Sequence, residues 1–353
     1  MFNYSEQSSA DLAKFSFRDW SEFFAERVKA RENLVRSYLD YVEPLAAKGL
    51  PPIFEHRHLA QLIGIELSDL RYLGSGSETL YHEFEIPKRS GGTRSIASPL
   101  PILAHAQRWL DFNIFRNIQI SEFAYGYVKG KSNLDNAILH IGSEGILHLD
   151  IKDFFHSIKY STLNRLIISL GYPPSIVRMI SKICTRYGHL PQGAPSSPQL
   201  ANILFRDADE AISNLCAELD LRYSRYVDDL TISGSTETLK SAKMEISKLC
   251  EKFGFEINSS KTYVQTGRKR IVTGISIGTG IAKLPRRSKR HFSFQVFSSI
   301  KMLEAGNISS DDPTFIEKSL GMLAYWQHIE PNSRQASKLR ERLEKACRMN
   351  AVE

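Results

Sequence analysis

At 353 residues the chain is long enough for two or three packed units, and its 42% hydrophobic and 24% charged residues are those of an ordinary globular protein. No apolar run approaches the roughly 18 residues of a membrane helix, and the polar start "MFNYSEQSSADLAKF" has no apolar signal core. The four cysteines lie far apart without Cys/His ligand spacing, which argues against a zinc site and a disulfide framework and makes a reducing cytoplasm the expected compartment. The net charge of +7 is unevenly spread: Ile257 to Leu303 holds ten Lys or Arg and no Asp or Glu, while the remainder holds 36 basic and 39 acidic residues. A one-signed stretch of this length suits a polyanion better than it suits a solvated loop.

In chain order, apolar residues at helical spacing predict helix over about 18–48, ended by "AKGLPP", with a short helix near His58–Ile63. "ETLYHEFEIPKRSGGTRSIAS" alternates polar and apolar around Ser90-Gly91-Gly92 and reads as a β-hairpin carrying Lys88, Arg89 and Arg94. "LAHAQRWLDFNIFRNI" returns to helix. "EGILHLDIKDFF" is a buried strand that delivers Asp150 and Asp153 to its far end. Helices follow over 161–184, around "GYPPS", and over "QLANILFRDADEAISNLCAEL". A hairpin at "RYSRYVDDLTISG", the helix "ETLKSAKMEISKLCEKFG", short strands up to Ile277 and a mainly helical remainder complete the chain. Strands and helices with two hairpins predict an α+β fold rather than a doubly wound parallel sheet.

Asp228 and Asp229 interrupt a strand pattern, where two like charges repel and are costly to desolvate. A plain solvated turn is one explanation. If the strand ending at Asp150 lies alongside, three carboxylates converge, and only cations offset such a cluster. Oxygen ligands without His or Cys select Mg²⁺ or Mn²⁺. Two such ions, about 3.5–4 Å apart, suit phosphoryl transfer. "GYVKGKS" is one residue short of a Walker A loop, and "ILHLD" follows it too closely for the intervening βαβ unit. "LGSGSE" lacks the third glycine of a dinucleotide fingerprint.

"YVDD" with its flanking strands, "LHLDIKDFF" upstream and "LPQGAPSSPQLANIL" between them resemble, in order and separation, the motifs of reverse transcriptases from about Tyr81 to Ile277. The resemblance implies a right-hand polymerase with an antiparallel palm sheet. It implies a helical N-terminal extension over 1–70, fingers and palm over 71–278 and a helical basic thumb over 279–353. It makes Asp150, Asp228 and Asp229 the catalytic carboxylates and metal ligands, joined by the Ile151 carbonyl. Nucleotide contacts are implied at Lys88, Arg94, Asp153, Phe154, Phe155 and Gln192; Lys88 and Arg94 grip the triphosphate, Phe155 guards the sugar and Gln192 meets the incoming nucleotide. Lys261 matches a lysine proposed to protonate the leaving pyrophosphate.

"NAILH" (Asn136 to His140) and "VTG" (Val272, Thr273, Gly274) resemble two signatures of retron reverse transcriptases. The family's usual catalytic box is YADD, from which YVDD departs without touching the carboxylates. In that family a structured noncoding RNA serves as template and primer, dNTPs are joined to one of its 2′-hydroxyls, and the branched cDNA complex works with an effector protein in antiphage defence. Asn136, His140, the VTG residues and Arg286, Arg287, Lys289 and Arg290 are the expected nucleic-acid contacts, with no membrane partner. Two rival readings are a group II intron-like enzyme, against which the short C-terminus argues, and a polymerase-derived RNA-binding scaffold, against which the retained carboxylates argue.

Overall fold

The structure, a computed structural model, describes residues 16–27, 32–76, 78–88, 91–305 and 314–350. Arg89 and the first fifteen residues lie outside the described residues. The elements begin with α1 (Phe17–Arg27), α2 (Glu32–Ala47), α3 (His56–Ile63), α4 (Leu67–Leu73), β1 (Tyr81–Pro87), β2 (Thr93–Pro99) and α5 (Pro101–Asn113). Then come α6 (Asn133–Leu139), β3 (Gly145–Asp150), α7 (Phe154–Ser157), α8 (Tyr160–Leu170), α9 (Pro174–Cys184) and α10 (Ser197–Glu218). The rest is β4 (Arg222–Tyr226), β5 (Asp229–Gly234), α11 (Thr236–Lys252), β6 (Tyr263–Thr266), β7 (Ile271–Val272), β8 (Ile275–Ser276), α12 (Arg286–Glu304), α13 (Phe315–Ile329) and α14 (Arg334–Asn350). Helices and antiparallel sheets are mixed, as expected of α+β. Among the described residues no helix is long and apolar enough to cross a membrane.

The chain forms two compact units: 1–127 with 151–211 and 248–257, and 128–150 with 212–247 and 258–353. In the first, an aromatic cluster ties α1 to α2, with Phe24 stacked on Tyr38 at 5.1 Å. Burial of such rings is the main stabilising contribution available to short helices. The predicted hairpin is present: β1 and β2 pair from Tyr81↔Pro99 to Pro87↔Thr93. Beyond it, Gln107 is fully buried on α5 and donates from Nε2 to the Ile183 carbonyl at 2.8 Å, fixing α5 against α9.

The second unit is built on a four-stranded antiparallel sheet ordered β4-β5-β3-β6. Ile146, Leu147 and Leu149 of β3 are all buried, so this central strand is covered on both faces. Gly145 opens it because a Cβ there would stand 3.0 Å from Leu239 Cδ1 and 3.1 Å from Thr236 Oγ1 of α11. The helices α12, α13 and α14 pack around Val296, Ile300, Leu303, Leu323, Leu343 and Ala346. A second core joins α6, β3, β7, β8 and α13 through Ala137, Ile146, Val272, Ile275 and Trp326.

Candidate active site

In the sheet of the second unit, β3 and β5 run antiparallel with Asp150 directly opposite Asp229. Side chains at such paired positions stand roughly 5 Å apart at Cβ. Tyr226 pairs with Asp229, which leaves Val227 and Asp228 as a two-residue hairpin loop. The three carboxylates are therefore brought together by strand register alone.

Their charges are incompletely balanced. Lys261 donates from Nζ to both oxygens of Asp150, at 2.8 and 2.9 Å. Burial, followed by the neighbouring charges of Asp150 and Asp229, pushes the Asp228 carboxyl above its usual range, and Lys261 opposes this only in part. His148, two residues before Asp150 on the same face of β3, brings Nδ1 to 3.7 Å from Asp229 Oδ1, beyond hydrogen-bond length, and stacks on Tyr263 at 4.8 Å. Among the described residues, no group of three His, Cys, Asp or Glu side chains is arranged as a ready metal cage. The site nevertheless fits hard divalent cations. Its donors are carboxylate oxygens, burial and then their mutual repulsion raise the Asp228 pKa, and the Lys261 ammonium already rests on both oxygens of Asp150.

The hairpin loop is strained. Val227 has φ +63°, at the first central position, where glycine is the favoured residue. A branched Cβ there costs on the order of 1–3 kcal/mol. Arg225, fully buried on β4, holds the loop by donating from Nη1 to the Val227 carbonyl at 2.9 Å.

Behind the loop, the end of α6 fastens both strands. His140 pairs through Nδ1 with Ser233 Oγ of β5 at 2.7 Å and through Nε2 with Ser224 Oγ of β4 at 2.8 Å. Burial, then Arg222 and His148, pulls its pKa down to about 3, so the ring is neutral. The start of α6 meets the VTG turn. Asn133 donates from Nδ2 to the Thr273 carbonyl at 3.1 Å and to Tyr325 Oη at 2.7 Å, while Thr273 Oγ1 donates to the Asn133 carbonyl at 2.8 Å. Ala137 of "NAILH" and Val272 of "VTG" also share one buried core.

The first unit carries the other expected residues. Lys88 and Arg94 are exposed at the tip of the β1–β2 hairpin. The Gln192 carbonyl accepts from the Ala97 amide at 2.8 Å, so the "LPQG" turn is anchored to β2. Gly193, at φ +117°, permits this approach, because a Cβ would lie 2.9 Å from the Ala97 carbonyl oxygen. Asp153 is exposed with φ +47°, and Phe155 is half-buried.

Several expectations are corrected. Phe154 is buried among Phe205 and Phe255 and presents no face to a nucleotide. Asn136, His140 and Val272 are 0%, 1% and 0% exposed, so their side chains offer nothing to a nucleic acid. His140 and Val272 act as interior supports, the buried Asn136 amide has no hydrogen-bond partner among the described residues, and Thr273 is half-buried and Gly274 exposed. Lys289 is paired with Glu330 at 2.7 Å and lies over Trp326, unlike the exposed Arg286, Arg287 and Arg290. Arg225, His148 and Asn133 escaped the sequence reading, and Val227 was noted there only as a departure from YADD, without its positive φ. The i, i+2 spacing of His148 and Asp150 was the one available signal.

A hairpin bearing paired carboxylates beside a strand-end aspartate is the hallmark of a nucleotidyl-transferring polymerase. Residues 86–294 match the family described as reverse transcriptase (RNA-dependent DNA polymerase). The chain belongs to that family and, among its members, to the retron reverse transcriptases; it is an RNA-directed DNA polymerase. It is 34% identical to the retron Ec86 reverse transcriptase of Escherichia coli over 256 residues, covering 70% of this chain and 80% of that one. It is 30% identical to the retron Mx65 reverse transcriptase of Myxococcus xanthus over 345 residues, covering 90% and 78%. Among solved structures, telomerase from Candida albicans, in complex with a telomeric RNA fragment, aligns at 10% identity and TM-score 0.44. That alignment covers 75% of this chain and 63% of the telomerase chain.

Proposed function

We propose that this enzyme copies part of a structured noncoding RNA, which is both template and primer, into a short single-stranded DNA joined to the RNA through a 2′–5′ bond. The observation that carries the reading is the register of Asp150 against Asp229, with Asp228 in the loop between β4 and β5. The architecture we assign is a right hand: a helical extension over 1–70, fingers and palm over 71–278, and a thumb over 279–353.

Asp150, Asp228 and Asp229, with the Ile151 carbonyl, would hold two Mg²⁺ ions, or Mn²⁺ in their place. Bound divalent cations supply charge neutralisation and acidify the attacking hydroxyl. Lys261, whose Nζ rests on Asp150, leaves that carboxylate and gives its proton to the departing pyrophosphate. Lys88 and Arg94 bind the dNTP phosphates, Gln192 and Asp153 orient the nucleotide, and the Phe155 ring excludes a ribose 2′-hydroxyl. Exposed Arg286, Arg287 and Arg290, with Thr273 and Gly274, meet RNA phosphate. The RNA–cDNA complex works in the cytoplasm with an effector protein in antiphage defence.

The test is expression beside the native upstream RNA, followed by sequencing of the copurifying nucleic acid. A discrete single-stranded DNA that debranching releases from RNA supports the reading. Heterogeneous cDNA primed only from 3′ ends would remove the 2′–5′ step.

A further inference from the structure

The three carboxylates at the end of β3 and β5 are held unequally. Lys261 Nζ bonds both oxygens of Asp150, and Asp228 is fixed by the short loop that carries it. Asp229 has neither support. Among the described residues, His148 is the one basic side chain within ion-pair reach of it, with Nδ1 3.7 Å from Oδ1. That separation is about 0.8 Å longer than a usual N–H···O bond, so a small turn of either side chain closes it.

The sheet fixes where His148 stands. It pairs with Thr231 of β5 on one side and with Tyr263 of β6 on the other, so these three side chains share one face with Asp150 and Asp229. Tyr263 is 51% exposed and stacks on the imidazole at 4.8 Å, while His148 itself is 4% exposed. Two buried polar atoms of this row, His148 Nε2 and Thr231 Oγ1, have no hydrogen-bond partner among the described residues. Ile146, two residues earlier on the same face, shows that an apolar side chain packs there without burying an orphan nitrogen. The imidazole therefore has a reason beyond packing.

Its neighbours decide the tautomer. A hydrogen on Nδ1 faces an acceptor, Asp229 Oδ1, and leaves Nε2 as an acceptor on the side of the sheet that carries the Thr231 hydroxyl, a donor. The reverse tautomer buries an N–H without an acceptor and aims a lone pair at a carboxylate.

We propose that His148 is a positioning residue for Asp229: its Nδ1–H takes one oxygen of that carboxylate and leaves the other free for a divalent cation. This rests on the reading of Asp229 as a metal ligand and deepens it, because the carboxylate that no lysine holds is oriented from inside the sheet. Loss of such an outer support of a metal site costs about 10–100-fold in metal affinity.

The test is Mn²⁺ titration, followed by electron paramagnetic resonance, of the native protein and its variants on a primed template whose primer ends in a dideoxynucleotide, so that no chemistry occurs. His148→Leu and His148→Gln should each weaken Mn²⁺ binding by about 10–100-fold. His148→Asn, whose amide nitrogen stands where Nδ1 stands, should recover most of that loss; a residue that only fills space would not distinguish Asn from Gln. In an Asp229→Asn background, His148→Leu should cost less than twofold further, because the oxygen it holds is no longer a ligand. If the variants do not fold, nitrogen NMR of ¹⁵N-histidine-labelled native protein still decides: the His148 ring should carry its hydrogen on Nδ1, and that signal should shift when Mg²⁺ is added. Unchanged Mn²⁺ affinity in His148→Leu, equal recovery by Asn and Gln, or a hydrogen on Nε2 would overturn the proposal while leaving the catalytic reading intact. A native protein that takes up no Mn²⁺ on the primed template would overturn the metal reading, and the proposal with it.

Discussion

The carboxylate hairpin and the α6 clamp behind it are built in opposite ways. In the hairpin, like charges face one another across β3 and β5, Asp228 is pushed toward its protonated form, and Val227 sits where glycine is favoured. In the clamp, His140 is neutral and both ring nitrogens are bonded, while Asn133 and Thr273 exchange hydrogen bonds. The first region stores repulsion and strain; in the second, His140, Asn133 and Thr273 are hydrogen-bonded, and the buried Asn136 amide is the exception, without a hydrogen-bond partner among the described residues. The contrast shows a division of labour: an unfavourable arrangement persists only where its surroundings over-determine it.

The largest effect is expected from the hairpin. Asp228→Asn replaces an anionic ligand with a neutral one and should lower DNA synthesis at least about a thousandfold, a loss of about 4 kcal/mol in transition-state stabilisation. The same change should stabilise the metal-free protein at neutral pH. The folded-state pKa of Asp228 is raised, so its contribution to stability is full below the unfolded value of 3.8 and is lost as pH rises through the folded value. Denaturant unfolding at pH 7 beside primer extension checks both signs, and a destabilised variant would contradict the repulsion argument.

The clamp responds to pH in the opposite sense. His140 has a folded-state pKa of about 3 against an ordinary 6.5, so its contribution is present above 6.5 and is lost as pH falls toward 3. Between pH 7 and pH 5 the parent protein should lose about 2 kcal/mol through this group. His140→Gln should lack that part of the acid limb, as measured by unfolding at the two pH values. Parallel limbs would place the neutral imidazole outside the stability balance.

A smaller effect tests strain directly. Val227→Gly should stabilise the protein by about 1 kcal/mol, the relief at positive φ being partly offset by glycine's chain entropy. It should also slow synthesis a few-fold by loosening Asp228. Destabilisation on denaturant unfolding would mean that the loop stores no strain.

Strands were legible where pattern was strong. The apolar run of β3 and the alternation of β1 and β2 announced themselves, and the long helices followed their periodicity. α4 and α6 are seven residues each, too short for a period to register, and were not predicted as helices. The carboxylates were legible because ionisable groups in an apolar strand demand a reason. Their supports were not. His140 reads as a motif residue facing nucleic acid until Ser224 and Ser233, 84 and 93 residues away, close on it in the interior. A charge run does not show which member is paired, and the partner of Lys289 is Glu330, 41 residues on. Phe154 and Phe155 are adjacent and chemically identical; only the turn after β3 decides which one faces the core.

The most direct test of the account is extension of a DNA primer annealed to an RNA template by the native protein, with dNTPs and Mg²⁺. The reaction is run again after chelation and after the metal is restored. The account predicts full-length cDNA, its loss on chelation and its recovery with Mg²⁺. Synthesis that survives chelation would contradict the role given to Asp150, Asp228 and Asp229, and a protein that binds the primed template yet never extends it would be an RNA-binding scaffold instead.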